Sequence, residues 1–211
     1  MDSDRGANFT VLPGMHVASF QCNLVNGLTT AARVWSSDEI NTSFSLIFFF
    51  PMTSGVDPSE ILALNEHIKD FHKNDCSVFA CTSEGVLPIM NWVKDEVGAG
   101  GFGGQLLFDI LSDPDLSIAN QFSVKRPSGL PCRAAYILDR EKRVRHSVIH
   151  SRYIGRSIKQ LLRTVEALKT VEDKGAEGQV VVPANWVMGK EMVFNTVEGR
   201  KEYFSNLVSL I

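Results

Sequence analysis

The chain has 211 residues, 44% hydrophobic and 21% charged, and its 21 basic and 24 acidic side chains leave a formal net charge of −3. That is the balance of an ordinary globular protein, with no polybasic footprint for nucleic acid. No apolar run approaches the roughly eighteen residues of a membrane span, so membrane insertion is not expected. A chain of this length can bury roughly 70% of its unfolded surface, enough for one core with tails. The opening Met1-Asp2-Ser3-Asp4-Arg5 shows neither a signal-peptide core nor an Arg-rich, acid-poor transit pattern. An intracellular, by default cytoplasmic, protein is expected, with organelle or cytoskeletal association left open.

In chain order, His16 to Leu24 and Ala31 to Ser36 read as short strands about the turn Asn26-Gly27. Ser43 to Phe50 is an apolar run stopped by Pro51, which suits a central strand buried on both faces. Asp57-Pro58-Ser59-Glu60 then predicts a helix start with Asp57 as N-cap. That helix extends to about Asn74, with Ile61, Leu64, Ile68 and Phe71 on one face. Strand Ser77 to Thr82, a helix from about Pro88 to Val97 and a glycine cluster at 98–104 follow. Leu106 to Leu111 predicts a short strand, and Asp113-Pro114 a helix through Phe122. Cys132 to Asp139 and Arg143 to His150 predict an antiparallel pair, and Ser157 to Asp173 a long amphipathic helix. The tail is read as irregular until a last helix near Glu198 to Leu210. This order describes an α/β sandwich with a mixed central sheet. Its site is expected after Phe50, where the chain enters a helix N-terminus that favours an anion.

Cys22, Cys76, Cys81 and Cys132 include no CxxC pair and read as small buried hydrophobes. His67 and His72 lie about 140° apart around a helix, and His146 and His150 share a strand face without a third ligand. No metal and no cofactor are therefore expected.

Several segments, in order, resemble the peroxiredoxins of the thioredoxin-fold superfamily, in particular the typical two-cysteine, AhpC/TSA-like members. Phe48-Phe49-Phe50-Pro51 and Val56-Asp57-Pro58-Ser59-Glu60 resemble the active-site segment, and Gly100-Gly101-Phe102-Gly103 the family's Gly-Gly-Leu-Gly loop. Leu111-Ser112-Asp113, Arg133 to Asp139 and Ile154-Gly155-Arg156-Ser157 resemble later motifs. Pro183-Ala184-Asn185-Trp186 and Lys201 to Ser205 resemble the C-terminal tail of the two-cysteine subclass. The resemblance covers about residues 12–206. It implies a thioredoxin-like domain over 1–174 and a C-terminal extension over 175–211 ending in a short helix.

The resemblance implies a peroxidatic cysteine at the position of Asp57 and a resolving cysteine at that of Val182, so both sulfurs are missing. Pro51, Ser54, Glu60, Arg133 and Arg156 match the family's pocket, although the Pro51-to-Ser54 stretch is one residue short. A carboxylate keeps the charge of a thiolate, and resembles a sulfinate in shape, but lacks sulfur's two-electron oxidation ladder. Three functions follow: a catalytically inactive pseudo-peroxidase serving as a structural or interaction subunit, a thiol peroxidase using Cys81 or a partner's cysteine, and a holdase-type chaperone. In all three the expected partners are proteins. Self-association as at least a dimer is expected through the strand at Arg143–His150, or else incorporation into a larger complex.

Overall fold

The computed structural model describes residues 11–174 and 178–208, so the outer part of the expected lead-in and the end of the last expected helix at Leu210 lie outside the described residues. The chain divides into two compact units, residues 1–158 and 159–211. The first is built on a seven-stranded mixed sheet in the order β2-β1-β5-β4-β3-β6-β7. These strands are β1 (Gln21–Val25), β2 (Ala32–Ser36), β3 (Phe44–Phe49), β4 (Cys76–Thr82), β5 (Asp109–Ser112), β6 (Arg133–Asp139) and β7 (Val144–His150). All six residues of β3 are buried, because it lies between β4, parallel to it, and β6, antiparallel. Its unbroken apolar run therefore has no solvent face to alternate with.

Helices α1 (Val56–Glu66) and α2 (Ile68–Lys73) join β3 to β4, and α3 (Val86–Lys94) follows β4. The single long helix expected from Asp57 to Asn74 is broken at His67, whose φ of −100° and ψ of 5° leave the helical region. Ile61, Leu64, Ile68 and Phe71 are nonetheless all buried, so the expected apolar face survives the break. The first strand begins only at Gln21. His16 makes an isolated bridge to Arg143 instead. The strand expected at Leu106–Leu111 is confined to β5, and the helix expected from Asp113 is the short α4 (Ser117–Gln121). Asp113 stands before α4 and accepts from the amides of Ile118 and Ala119 at 3.0 and 2.8 Å.

Ile47 and Phe49 of β3 point into one core cluster with Trp35, Phe79, Phe122 and Tyr136. The Tyr136 hydroxyl is satisfied there by the Phe122 carbonyl at 3.0 Å. Strand alternation sends Leu46 and Phe48 to the opposite face. Gly27 has no alternative at its turn, since a Cβ there would lie 2.2 Å from the Phe108 carbonyl oxygen. A register shift between Ile137 and Leu138 makes Arg145 an extra residue on β7 and interrupts the alternation expected there.

The second unit begins with α5 (Ile158–Asp173), of which Leu161, Leu162 and Val165 are buried. The tail expected to be irregular contains an antiparallel pair, β8 (Val180–Val181) and β9 (Val193–Phe194), before α6 (Val197–Val208). Within this unit Arg163 donates from Nε to the Trp186 carbonyl at 2.6 Å. No helix among the described residues is long and apolar enough to cross a membrane.

Candidate functional site

The end of β3 runs straight into the site. The Phe50 amide donates to the Cys81 carbonyl at 3.0 Å, extending the sheet by one residue before Pro51 turns the chain. Trp92 of α3 stacks on Phe50 at 5.6 Å and meets Phe102 edge-on at 4.5 Å, while its indole N–H donates to the Gly100 carbonyl at 3.0 Å. The glycine segment is thereby tied to the root of the Pro51 turn. Gly101 permits the approach, since a Cβ there would lie 2.4 Å from the Asp95 carbonyl oxygen.

Asp57 does not cap α1. The helix begins at Val56, with Gly55 in the cap position and no side-chain cap bond. The carboxylate of Asp57 instead reaches back over the preceding turn. Its Oδ2 accepts from the amides of Thr53 and Ser54, each at 2.9 Å, and from the Ser54 hydroxyl at 3.2 Å. An N-cap accepts from amides ahead of it in the helix. Here the nearer unpaired amides lie behind it, and Arg133 draws the second oxygen inward.

Arg133, first residue of β6, places Nη2 2.7 Å from Asp57 Oδ1, an ion-pair contact off the hydrogen-bond axis. The same nitrogen donates to the Ser54 hydroxyl at 3.1 Å, and Nη1 pairs with Glu60 Oε2. Glu60 lies three residues beyond Asp57, hence on the same helix face. It is also gripped by Arg156, whose Nε and Nη2 donate to its two carboxylate oxygens at 2.9 and 2.8 Å. Arg156 Nη1 donates to the carbonyls of Phe49 and Ala134, and its guanidinium covers the Phe48 ring at 3.3 Å. Asp57, Glu60, Arg133 and Arg156 are all buried. Burial pushes the Glu60 carboxyl up, but hydrogen bonds from Arg156 and the charges of Arg156 and Arg133 outweigh it and hold the group below its ordinary value. Burial pulls Arg156 down, and Glu60 works against that.

Of the residues singled out in the sequence, Ser54, Asp57, Glu60, Arg133 and Arg156 thus form one network, and Pro51 lines the hollow above it. Val182 follows β8 in the second unit. Cys81 lies opposite Phe49 in the β3–β4 register, fully buried in the aromatic cluster. Burial, with the charge of Asp113 adding, pushes its thiol far above the ordinary range. Burial likewise pushes Cys76 up, and brings Cys22 up to about 12. Cys132 is half-buried against the same cluster. Sequence reasoning missed the Thr53 amide, the two carbonyls holding Arg156 and the Phe48 ring beneath it. Three of these are backbone groups that carry no side-chain signature.

Comparison with known proteins fits this arrangement. Residues 13–147 match the AhpC/TSA family, and residues 167–206 match the C-terminal domain of 1-Cys peroxiredoxin. A chloroplastic 2-Cys peroxiredoxin of Hordeum vulgare is 33% identical over 171 residues, which cover 80% of this chain and 79% of that one. A thioredoxin peroxidase of Trypanosoma brucei rhodesiense is 31% identical over 164 residues, covering 77% of this chain and 80% of its own. The reduced 2-Cys peroxiredoxin of Plasmodium vivax superposes with a TM-score of 0.85 at 27% identity, over 92% of this chain and 98% of that chain. A family match spanning more than half the residues, on the strand order and buried helix start described above, means that this chain belongs to the AhpC/TSA family of peroxiredoxins and has their thioredoxin-like fold.

Proposed function

We propose that this chain is a pseudo-peroxidase: a peroxiredoxin scaffold whose reactive position is filled by Asp57 and which works as a structural or interaction subunit. The observation that carries this reading is the Asp57 carboxylate, buried against Arg133 at the start of α1, where the family resemblance puts a peroxidatic thiolate. A carboxylate can balance the guanidinium but has no thiol oxidation chemistry with which to reduce a peroxide. Ser54 and Arg133 hold that charge rather than a nucleophile, Glu60 and Arg156 complete the ion-pair network, Pro51 lines the hollow above it, and Val182 stands where the resemblance puts a resolving cysteine.

A second reading, a thiol-dependent peroxidase using Cys81 or a partner's cysteine, is favoured by the names of the relatives, a 2-Cys peroxiredoxin and a thioredoxin peroxidase among them. Steady-state consumption of hydrogen peroxide with a thioredoxin-type reductant separates the two. The expected rate is indistinguishable from that of the Cys81→Ser variant. Robust turnover lost on that substitution makes the chain an enzyme.

Self-association through β7 is part of the proposal. β7 is the last strand of the sheet, and among the described residues its outer edge is bonded at its beginning by residues 14–17, through Gly14 and Met15 to Val144 and Val17 to Lys142. The remaining edge is a ready template for a second strand, and a two-fold pair is the simplest closed solution. Light scattering at micromolar concentration is expected to give at least a dimer, unchanged by reductant. A monomeric mass removes this part of the proposal.

A further inference from the structure

A hollow of about 30 Å³ opens in the first unit above the buried network, with Arg133 at its floor and Arg126 and Arg152 on its rim. The floor offers no net charge, since Asp57 and Glu60 match Arg133 and Arg156. The rim is different. Arg152 is exposed, its guanidinium 5.1 Å from the Tyr153 ring centroid, and Arg126 is half-buried where the turn to Gly129 begins. Among the described residues neither pairs with a carboxylate. Lys125, next to Arg126 in sequence, is exposed as well. In a chain of net charge −3 this is a local reversal of sign, and it selects an anionic partner.

The walls narrow the choice. Leu130 and Pro131 are apolar, while Thr53 and Ser128 offer hydroxyls. The volume suits the end of one side chain, far below the several hundred cubic ångströms of a metabolite pocket. An inorganic anion would use the cations and hydroxyls but leave the apolar wall idle. A carboxylate on a short methylene stem uses both. We propose that the hollow docks a glutamate side chain presented by an acidic segment of a partner protein, its carboxylate between Arg126 and Arg152 and its methylenes against Leu130 and Pro131. The inference deepens the reading of the chain as an interaction subunit and rests on it: a mouth that leads to no reactive group is left with recognition.

The test is a fluorescence-anisotropy titration of the full chain into a labelled peptide of alternating Glu and Ala, beside the same peptide with Gln for Glu. The Glu peptide binds and weakens with added salt, as rim charges require, while the Gln peptide does not bind. The Arg126→Ala/Arg152→Ala variant binds about ten-fold more weakly or worse, as expected for losing charge-assisted hydrogen bonds. The Lys69→Ala/Lys73→Ala variant, which removes the same charge from exposed positions on α2, binds like the parent. Circular dichroism checks the fold, and the single Arg152→Gln variant serves if the double variant does not fold. Undiminished binding after loss of both arginines, equal weakening by the lysine pair, or free glutarate binding as tightly as the peptide each overturns the proposal. The peroxide assay is independent: absent peptide binding without peroxide turnover removes the docking point alone, whereas turnover removes the functional reading beneath it.

Discussion

Replacing Asp57 by cysteine is expected to create a thiol that hydrogen peroxide oxidises to sulfenic acid at least about a hundredfold faster than Cys76 or Cys81 at neutral pH. The position supplies what lowers a thiol's pKa: two amides, from Thr53 and Ser54, aimed at residue 57, the Arg133 guanidinium against it, and the first turn of α1. Such settings bring a thiol from about 8.5 into the roughly 3.5–7.5 range, so that most of it is thiolate at pH 7. The native Cys76 and Cys81 are held almost wholly protonated by burial. Continuous turnover should remain poor, because Val182 cannot resolve the sulfenic acid and an external thiol must do so. Recovery should also be partial, since the turn from Pro51 to Ser54 is a residue shorter than the family pattern. Trapping with a sulfenic-acid reagent and mass spectrometry reads the result. An introduced cysteine no more reactive than Cys76, in a protein of unchanged circular dichroism, would mean that the pocket no longer favours a reactive anion.

The second large effect concerns stability. Glu60→Ala removes the carboxylate shared by Arg133 and Arg156 and leaves buried positive charge short of its counter-ion. Breaking a buried pair in this way costs about 3–5 kcal/mol, against a total stability of roughly 5–15 kcal/mol for a domain. Chemical denaturation should therefore show a large fall in midpoint or outright unfolding. A loss below about 1 kcal/mol would mean that water reaches the arginines and screens them. The pH dependence has a definite sign. Glu60 is held below its unfolded value of about 4.3, so its contribution is fully present above that pH and is lost as pH falls through the folded value. The parent should accordingly lose more stability than Glu60→Gln on acidification from about pH 5 to pH 3.

How far the sequence could be read depended on whether the signal was a pattern or a contact. The run from Phe44 to Phe49 announced a central strand because burial on both faces removes alternation. The polar break at Arg140–Lys142 between two strand-like runs marked the antiparallel pair β6 and β7, a local turn signal. The break at His67 was hidden, since Ile61, Leu64, Ile68 and Phe71 keep helical spacing across it. β8 and β9 are two residues each, too short for any period to show. At the site, the family motifs gathered Ser54, Asp57, Glu60, Arg133 and Arg156 from far apart in the chain. They could not reveal that Asp57 bonds backward to Thr53 rather than forward as a cap. That choice is made by Arg133, 76 residues away in sequence, and no local propensity encodes it.

The matching of two carboxylates to two guanidinium groups bears on how such a chain can evolve. On the proposed reading, a thiolate ancestor and the present carboxylate both leave the interior electrically neutral around Arg133. A drift to Ala or Ser at position 57 would leave two buried guanidinium groups against the single carboxylate of Glu60, one positive charge without its counter-ion, and selection on stability would remove it even where activity no longer mattered. Glu would keep the charge but push an extra methylene into a turn already closed by the Thr53 and Ser54 amides. Of the routes out of sulfur chemistry, aspartate is the one that a neutral, tightly closed interior leaves open.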